Sequence, residues 1–243
     1  MVLAGIDLAW RSNNSETAVA LGVLEEQELA VRNVFVDRYS TASLLERLGR
    51  FPSLRGIAID APLIIRNDTG QRRCESLLGS AYGSRKASCH TSNLGLYPRA
   101  FSSELSECLV RRGFQHLGSP PDRWQIECYP HPALIEIFDL SERHPYKKGR
   151  VADRWRGQCA LGDYLAKLET SPVLRLKIPG DCRHHVQTAY IAGLRGAGLK
   201  RNEDVLDSIV CLYIAGLYAL GVVGKIFGAP SEGYIYVPQQ PCT

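Results

Sequence analysis

Three observations predict an α/β fold with a mixed sheet. Three short aliphatic runs open the chain, at 2–9 (VLAGIDLA), 17–24 (TAVALGVL) and 29–36 (LAVRNVFV). The linkers between them, "RSNNSE" and "EEQE", have the polarity and length of hairpin loops. Later segments carry long helical stripes rather than further hairpins, so the order is βββαβ, a polar insert, one more strand and then helices. That order belongs to a mixed sheet flanked by helices.

The first helix is "STASLLERLGRF", where Ser43 and Glu46 form an S-x-x-E pattern and Leu44, Leu45 and Leu48 an apolar stripe. "LRGIAIDAP" (54–62) is the fourth strand, ending at Asp60 and stopped by Pro62. From about 66 to 123 the pattern becomes polar and rich in glycine and proline, around one helix at 101–112. "RWQIECYP" (123–130) resumes the strands, and "HPALIEIF" (131–138) is a helix with proline in its first turn. A charged loop, "SERHPYKKGR", leads to an amphipathic helix at 152–168 that carries Trp155, Cys159, Leu161, Tyr164, Leu165 and Leu168. Further helices are expected at 182–196 and 202–220. Asn202 would cap the second, with Glu203 and Asp204 at the positive end of its dipole. "GYIYVP" (233–238) is a closing strand. At 243 residues and 45% apolar, the chain suits a single domain, 1–243, with an insert at about 66–123.

Composition narrows the function classes. The longest apolar stretch, "SIVCLYIAGLYALGVVG", is broken by glycines and preceded by acids, which favours a buried helix over a membrane span. No basic, signal-like segment opens the chain, and the eight cysteines include no C-x-x-C pair. A reduced, cytoplasmic protein without a cysteine metal site is therefore expected. The net charge of +4 and pI near 8.6 are compatible with a polyanionic partner.

The chemistry lies in carboxylates placed where core elements meet their loops: Asp7, Asp60, Glu127, Asp204 and Asp207. Asp204 and Asp207 are spaced i,i+3 and share a helical face. Each acid also has an ordinary reading. Asp7 fits a satisfied strand carboxylate, Asp60 a turn starter, Glu127 a solvent-facing strand residue and Asp204 a dipole residue. Asp207 resists such a reading, because it sits among Val205, Leu206, Ile209 and Val210. Together, mutually repelling carboxylates at element ends call for divalent cations, and hard oxygen donors suit Mg²⁺ or Mn²⁺. Two such ions could share the set and serve phosphodiester cleavage.

Three leading antiparallel strands, a helix, a fourth strand ending in an acid and a late helix bearing D-x-x-D resemble the ribonuclease H-like fold. More narrowly, "GIDLAW", "AIDAPL", "ECYPHPAL", "EDVLDSIVCLYIAGLY" and "EGYIYVP" resemble the DUF429 family, described as predicted ribonuclease H-like nucleases. The resemblance implies a five-stranded mixed sheet and a two-metal nuclease acting on RNA or DNA. By that resemblance Asp7 is the metal-bridging acid of the first strand and Asp60 the acid ending the fourth. Asp204 and Asp207 are the paired acids of the late helix, and Glu127 matches the E-x-Y-P segment without a secure role.

Basic clusters supply the substrate side. Arg72, Arg73, Arg85 and Lys86 lie in the insert near Tyr82 and Tyr97, and Lys147 and Lys148 follow Tyr146 in "YKKGR". Cations interleaved with aromatics suit a flexible nucleic-acid strand. His90, His184 and His185 are candidates for protonating a leaving group. A non-catalytic nucleic-acid- or protein-binding module on the same fold is the alternative. An actin-like ATPase or phosphotransferase fits less well, because Asp7 is followed by Leu8, Ala9 and Trp10 rather than by small residues that cradle phosphate. The sequence leaves the oligomeric state open, a homodimer included.

Overall fold

The computed structural model of the protein describes residues 1–11 and 15–242; part of the expected loop "RSNNSE" therefore lies outside the described residues. The elements run β1 (Val2–Asp7), β2 (Thr17–Glu25), β3 (Glu28–Asp37), α1 (Thr41–Gly49), β4 (Leu54–Asp60), α2 (Arg73–Tyr82), α3 (Phe101–Arg111), β5 (Gln115–His116) and β6 (Trp124–Glu127). They continue as α4 (Pro130–Ile137), α5 (Val151–Lys167), β7 (Arg175–Lys177), α6 (Gly180–Arg183), α7 (Thr188–Gly193), α8 (Gly196–Ala219), β8 (Gly224–Ala229) and β9 (Gly233–Pro238).

Seven strands form the main sheet in the order β5-β6-β4-β1-β2-β3-β7. The antiparallel meander β1–β2–β3 is as expected, and β4, β6 and β5 add to it in parallel on one side. This antiparallel-then-parallel arrangement flanked by helices agrees broadly with a ribonuclease H-like fold, but the expected count of five strands is corrected to seven. β5 and β7, with two and three residues, are too short to show a period-2 pattern. β9 pairs with β8 as a separate hairpin, and one bridge between Cys128 and Tyr236 continues it past the end of β6.

The helices depart from expectation at their ends. Ser40, rather than Ser43, caps α1: its Oγ accepts from the Ser43 amide, while the Ser43 Oγ accepts from the Ser40 amide. The helix expected at 182–196 is broken into α6, a 3₁₀ turn at His184–Val186 and α7. The late helix starts at Gly196, so Asn202 is not its cap, and Glu203 and Asp204 lie nearly two turns inside it. α2, unforeseen in the insert, packs with the β8–β9 hairpin around Cys74, Leu78, Tyr82, Phe227, Ile235 and Val237.

α8 organises the centre of the molecule. Its segment Val205–Leu217 is buried on every side, as expected for an apolar helix inside a globule. Among the described residues no helix is long and apolar enough to cross a membrane. The helix lies so close to β1 that a Cβ on Gly5 would come within 2.0 Å of the Leu212 nitrogen and 2.2 Å of the Ser208 carbonyl oxygen. Glycine is the residue that permits such contact between backbones. All eight cysteines are free.

Candidate metal centre

Two parallel strands and one helix bring three carboxylates together. Asp7 ends β1, Asp60 ends β4, and the two are directly paired across the parallel ladder. Side chains alternate along a strand, so Asp7 projects on the same face as Gly5, the face that α8 covers. α8 brings Asp207 to that place, one residue before the Ser208 carbonyl that rests on Gly5. Each of Asp7, Asp60 and Asp207 offers an oxygen within 4.8 Å of those of the other two. Asp7 and Asp60 are half-buried and Asp207 is fully buried.

The chain itself supplies the nearest positive charge. Lys147 Nζ lies 2.8 Å from Asp207 Oδ2 and 3.9 Å from Asp60 Oδ2. The contact with Asp207 is an ion pair without a well-directed hydrogen bond, for Asp207 Oδ2 has no hydrogen-bond partner. Tyr146, wholly buried, donates from its hydroxyl to Asp207 Oδ1 at 2.5 Å. These two positions were expected as loop charge and stacking aromatic for a nucleic-acid strand; the structure puts both against the acids.

The electrostatics follow from crowding. Burial, then Asp207 and Asp204, push the Asp7 carboxyl well above its ordinary range, with Lys147 opposing. Burial lifts Asp60 to about 7 against the pull of Lys147. For Lys147, burial works against the ammonium. The combined attraction of Asp207, Tyr146, Asp60 and Asp7 nonetheless raises it well above its usual value. Asp204 is buried beside the triad, and Lys200 Nζ holds it at 2.5 Å while also pairing with Glu203 at 2.9 Å.

Glu127 is outside the converging triad, although it and Asp60 line a common small cavity. β6 pairs with β4 so that Glu127 lies opposite Ile59, one position short of Asp60. A one-residue offset sends a side chain to the other face of a sheet. There Glu127 receives Arg72 through Nη2 at 2.5 Å and Nη1 at 2.9 Å, and the Leu63 amide at 2.8 Å. Arg72 also bonds Glu75 at 2.8 Å and the Ile64 carbonyl at 3.0 Å. It is 3% exposed, which corrects its expected role in substrate contact: a core ion pair consumes it.

Of the other expected cations, Arg85 pairs with Glu136 at 2.8 Å, Lys86 with Glu142 at 2.6 Å, and exposed Arg73 lies 3.5 Å from Glu232. Lys148 is exposed on a cleft of about 290 Å³. Asp7, Asp60, Lys147, His90 and His131 also line this cleft, as do Trp10, Tyr129, Arg143 and His144. Burial, then Arg11 and the lysines, hold His90 below its ordinary value. His184 and His185 sit instead with Tyr190 and Asn202. His131 was not foreseen. It is 6% exposed, its Nδ1 has no hydrogen-bond partner, and burial followed by Lys147 and Arg143 keeps it neutral. Its signal was the "YPHP" that follows Glu127.

A family model described as "Protein of unknown function (DUF429)" matches residues 5–232. The chain belongs to the DUF429 family. The DUF429 match takes in all three converging carboxylates of this chain, together with Tyr146 and Lys147. No curated protein and no solved structure matches the chain.

Proposed function

We propose that this protein is a metal-dependent phosphodiesterase acting on nucleic acid, with its centre on Asp7, Asp60 and Asp207. The observation that carries this reading is the convergence of their three oxygens within 4.8 Å at the carboxyl ends of neighbouring parallel strands. Open α/β sheets bind ligands at that end.

The donor set fits a hard divalent cation. It consists of carboxylate oxygens alone; burial, with repulsion among the acids added to it, raises the Asp7 and Asp60 carboxyls. Asp7, Asp60 and Asp207 would hold Mg²⁺ or Mn²⁺. When bound, such an ion acidifies a water and neutralises charge on phosphoryl oxygens. Tyr146 fixes the orientation of Asp207 through its 2.5 Å hydrogen bond. Arg143 and Lys148 on the cleft wall attract a phosphodiester backbone and orient it toward the carboxylates. His131 packs its ring against that of Tyr146, with centroids 5.3 Å apart.

The test is cleavage of single- and double-stranded RNA and DNA with Mg²⁺ or Mn²⁺. Wild type should cut at least one substrate, and Asp7→Asn and Asp207→Asn should abolish the cut while keeping the folded circular-dichroism spectrum. A wild type inert on the whole panel, or fully active aspartate variants, would overturn the proposal.

A further inference from the structure

Asp7, Asp60, Asp204 and Asp207 gather where β1, β4 and α8 meet, and carry four negative charges when ionised. Lys147 answers Asp207 and Asp60, while Lys200 is shared between Asp204 and Glu203, and Arg154 pairs with Glu203 in turn. With Glu203 and Arg154 counted, five acids less three cations leave two negative charges, the complement of a single divalent cation. A second divalent ion would leave a surplus of two positive charges beside a largely buried cluster, a costly arrangement.

The contacts agree with the charges. Asp207 already gives Oδ1 to the Tyr146 hydroxyl and has the Lys147 ammonium 2.8 Å from Oδ2. Asp204 is committed to Lys200. Asp207 Oδ2 meets the Lys147 ammonium as an ion pair without a directed hydrogen bond, so Lys147 holds the position beside Asp207 by charge alone. Resting on the metal-dependent reading above, we infer that the centre takes one divalent cation and that the Lys147 ammonium stands in the second positive position. This departs from the two ions expected from the sequence. It makes Lys147, which lines the cleft together with Asp7 and Asp60, a catalytic residue of the proposed reaction, its charge set beside the carboxylates where the non-bridging oxygens of a phosphodiester would lie. Lysine supplies there a point charge with three rotatable donors.

The experiment counts ions. Full-length protein is titrated with MnCl₂ alone, and bound Mn²⁺ is read by native mass spectrometry and by electron paramagnetic resonance of the free ion. Wild type should bind one Mn²⁺ per chain, Lys147→Arg one, and Lys147→Met two. Two ions on wild type, or a single ion on folded Lys147→Met, would overturn the inference while leaving the metal-dependent reading intact. No ion on wild type would overturn that reading itself. If Lys147→Met does not fold, the wild-type count decides alone, since one ion supports the inference and two refute it.

Discussion

Arg72 closes on Glu127 through two hydrogen bonds, at 2.5 and 2.9 Å, with the two side chains only 2% and 4% exposed. Removing one partner of such a buried pair leaves a charge with no counter-charge to meet it. Arg72→Met leaves Glu127 and Glu75 without their counter-charge, holding only neutral donors, and should lower stability by about 3–5 kcal/mol, measured by urea denaturation. Glu127→Gln should cost less, because the amide oxygen still accepts from Leu63. If Glu127 is structural, as its place on the far face indicates, Glu127→Gln leaves Mn²⁺ affinity unchanged. A loss of about tenfold, or ~1.4 kcal/mol, in calorimetry would return Glu127 to the ligand set.

Gly5 sets the depth at which α8 rests on the sheet. In Gly5→Ala the new methyl would meet the backbone of Leu212 and Ser208, and backbone cannot step aside as a side chain can. The helix must withdraw, costing on the order of 1–3 kcal/mol or more and carrying Asp207 away from Asp7 and Asp60. Both the melting temperature and the Mn²⁺ affinity should fall. At Gly79, in α2, a methyl group would have no neighbour within 4 Å, and Gly79→Ala should be neutral or stabilising by up to ~1 kcal/mol. Equal losses in the two variants would show that the close approach at Gly5 carries no special role.

The acids of the centre were legible because each broke a local pattern. Asp7 interrupts an aliphatic strand, and Asp207 sits among Val205, Leu206, Ile209 and Val210 in α8. Their pairing with Asp60 needed the β1–β4 register, which only the assembled sheet defines. Glu127 looked equivalent to Asp60, and a one-residue register difference, invisible in local sequence, separated them. Lys147 and Tyr146 read as loop residues because their partner Asp207 is 61 residues from Tyr146 along the chain. Such ion pairs leave no periodic trace. The start of α8 escaped for the opposite reason: Arg195 occupies the cap without a side-chain hydrogen bond, so no capping signal marks it.

In the metal-free protein the contribution of Asp60 to stability should fall as pH rises from about 4 to about 7. Burial raises Asp60 from its ordinary 3.8 to about 7, so in that window the folded state holds a proton that the unfolded state has released. Its stabilising contribution is complete below the ordinary value and disappears as pH passes the folded one. Urea unfolding in EDTA at pH 5 and pH 7.5 should therefore show the stability of wild type relative to Asp60→Asn falling between the two pH values, a comparison that cancels the opposing contribution of the buried histidines. Mn²⁺ should reverse the trend, since the cation needs the ionised carboxylate. Identical pH profiles for wild type and Asp60→Asn would contradict the raised Asp60.

The cleft wall, rather than the insert surface, should carry nucleic-acid affinity. Arg143 and Lys148 line the cleft that contains Asp7 and Asp60, whereas Arg85 and Lys86 are already engaged by Glu136 and Glu142. A free cation that meets a phosphate releases a counterion on binding, and a cation already paired with a carboxylate releases less. Binding of a labelled single strand, measured by anisotropy across a salt series, should weaken in Arg143→Ala and Lys148→Ala. The slope of log affinity against log salt should shrink by about 0.7 for each phosphate left without its cation. Arg85→Ala and Lys86→Ala should leave that slope unchanged. A shallower slope in the second pair and not the first would move the path of the strand onto the insert.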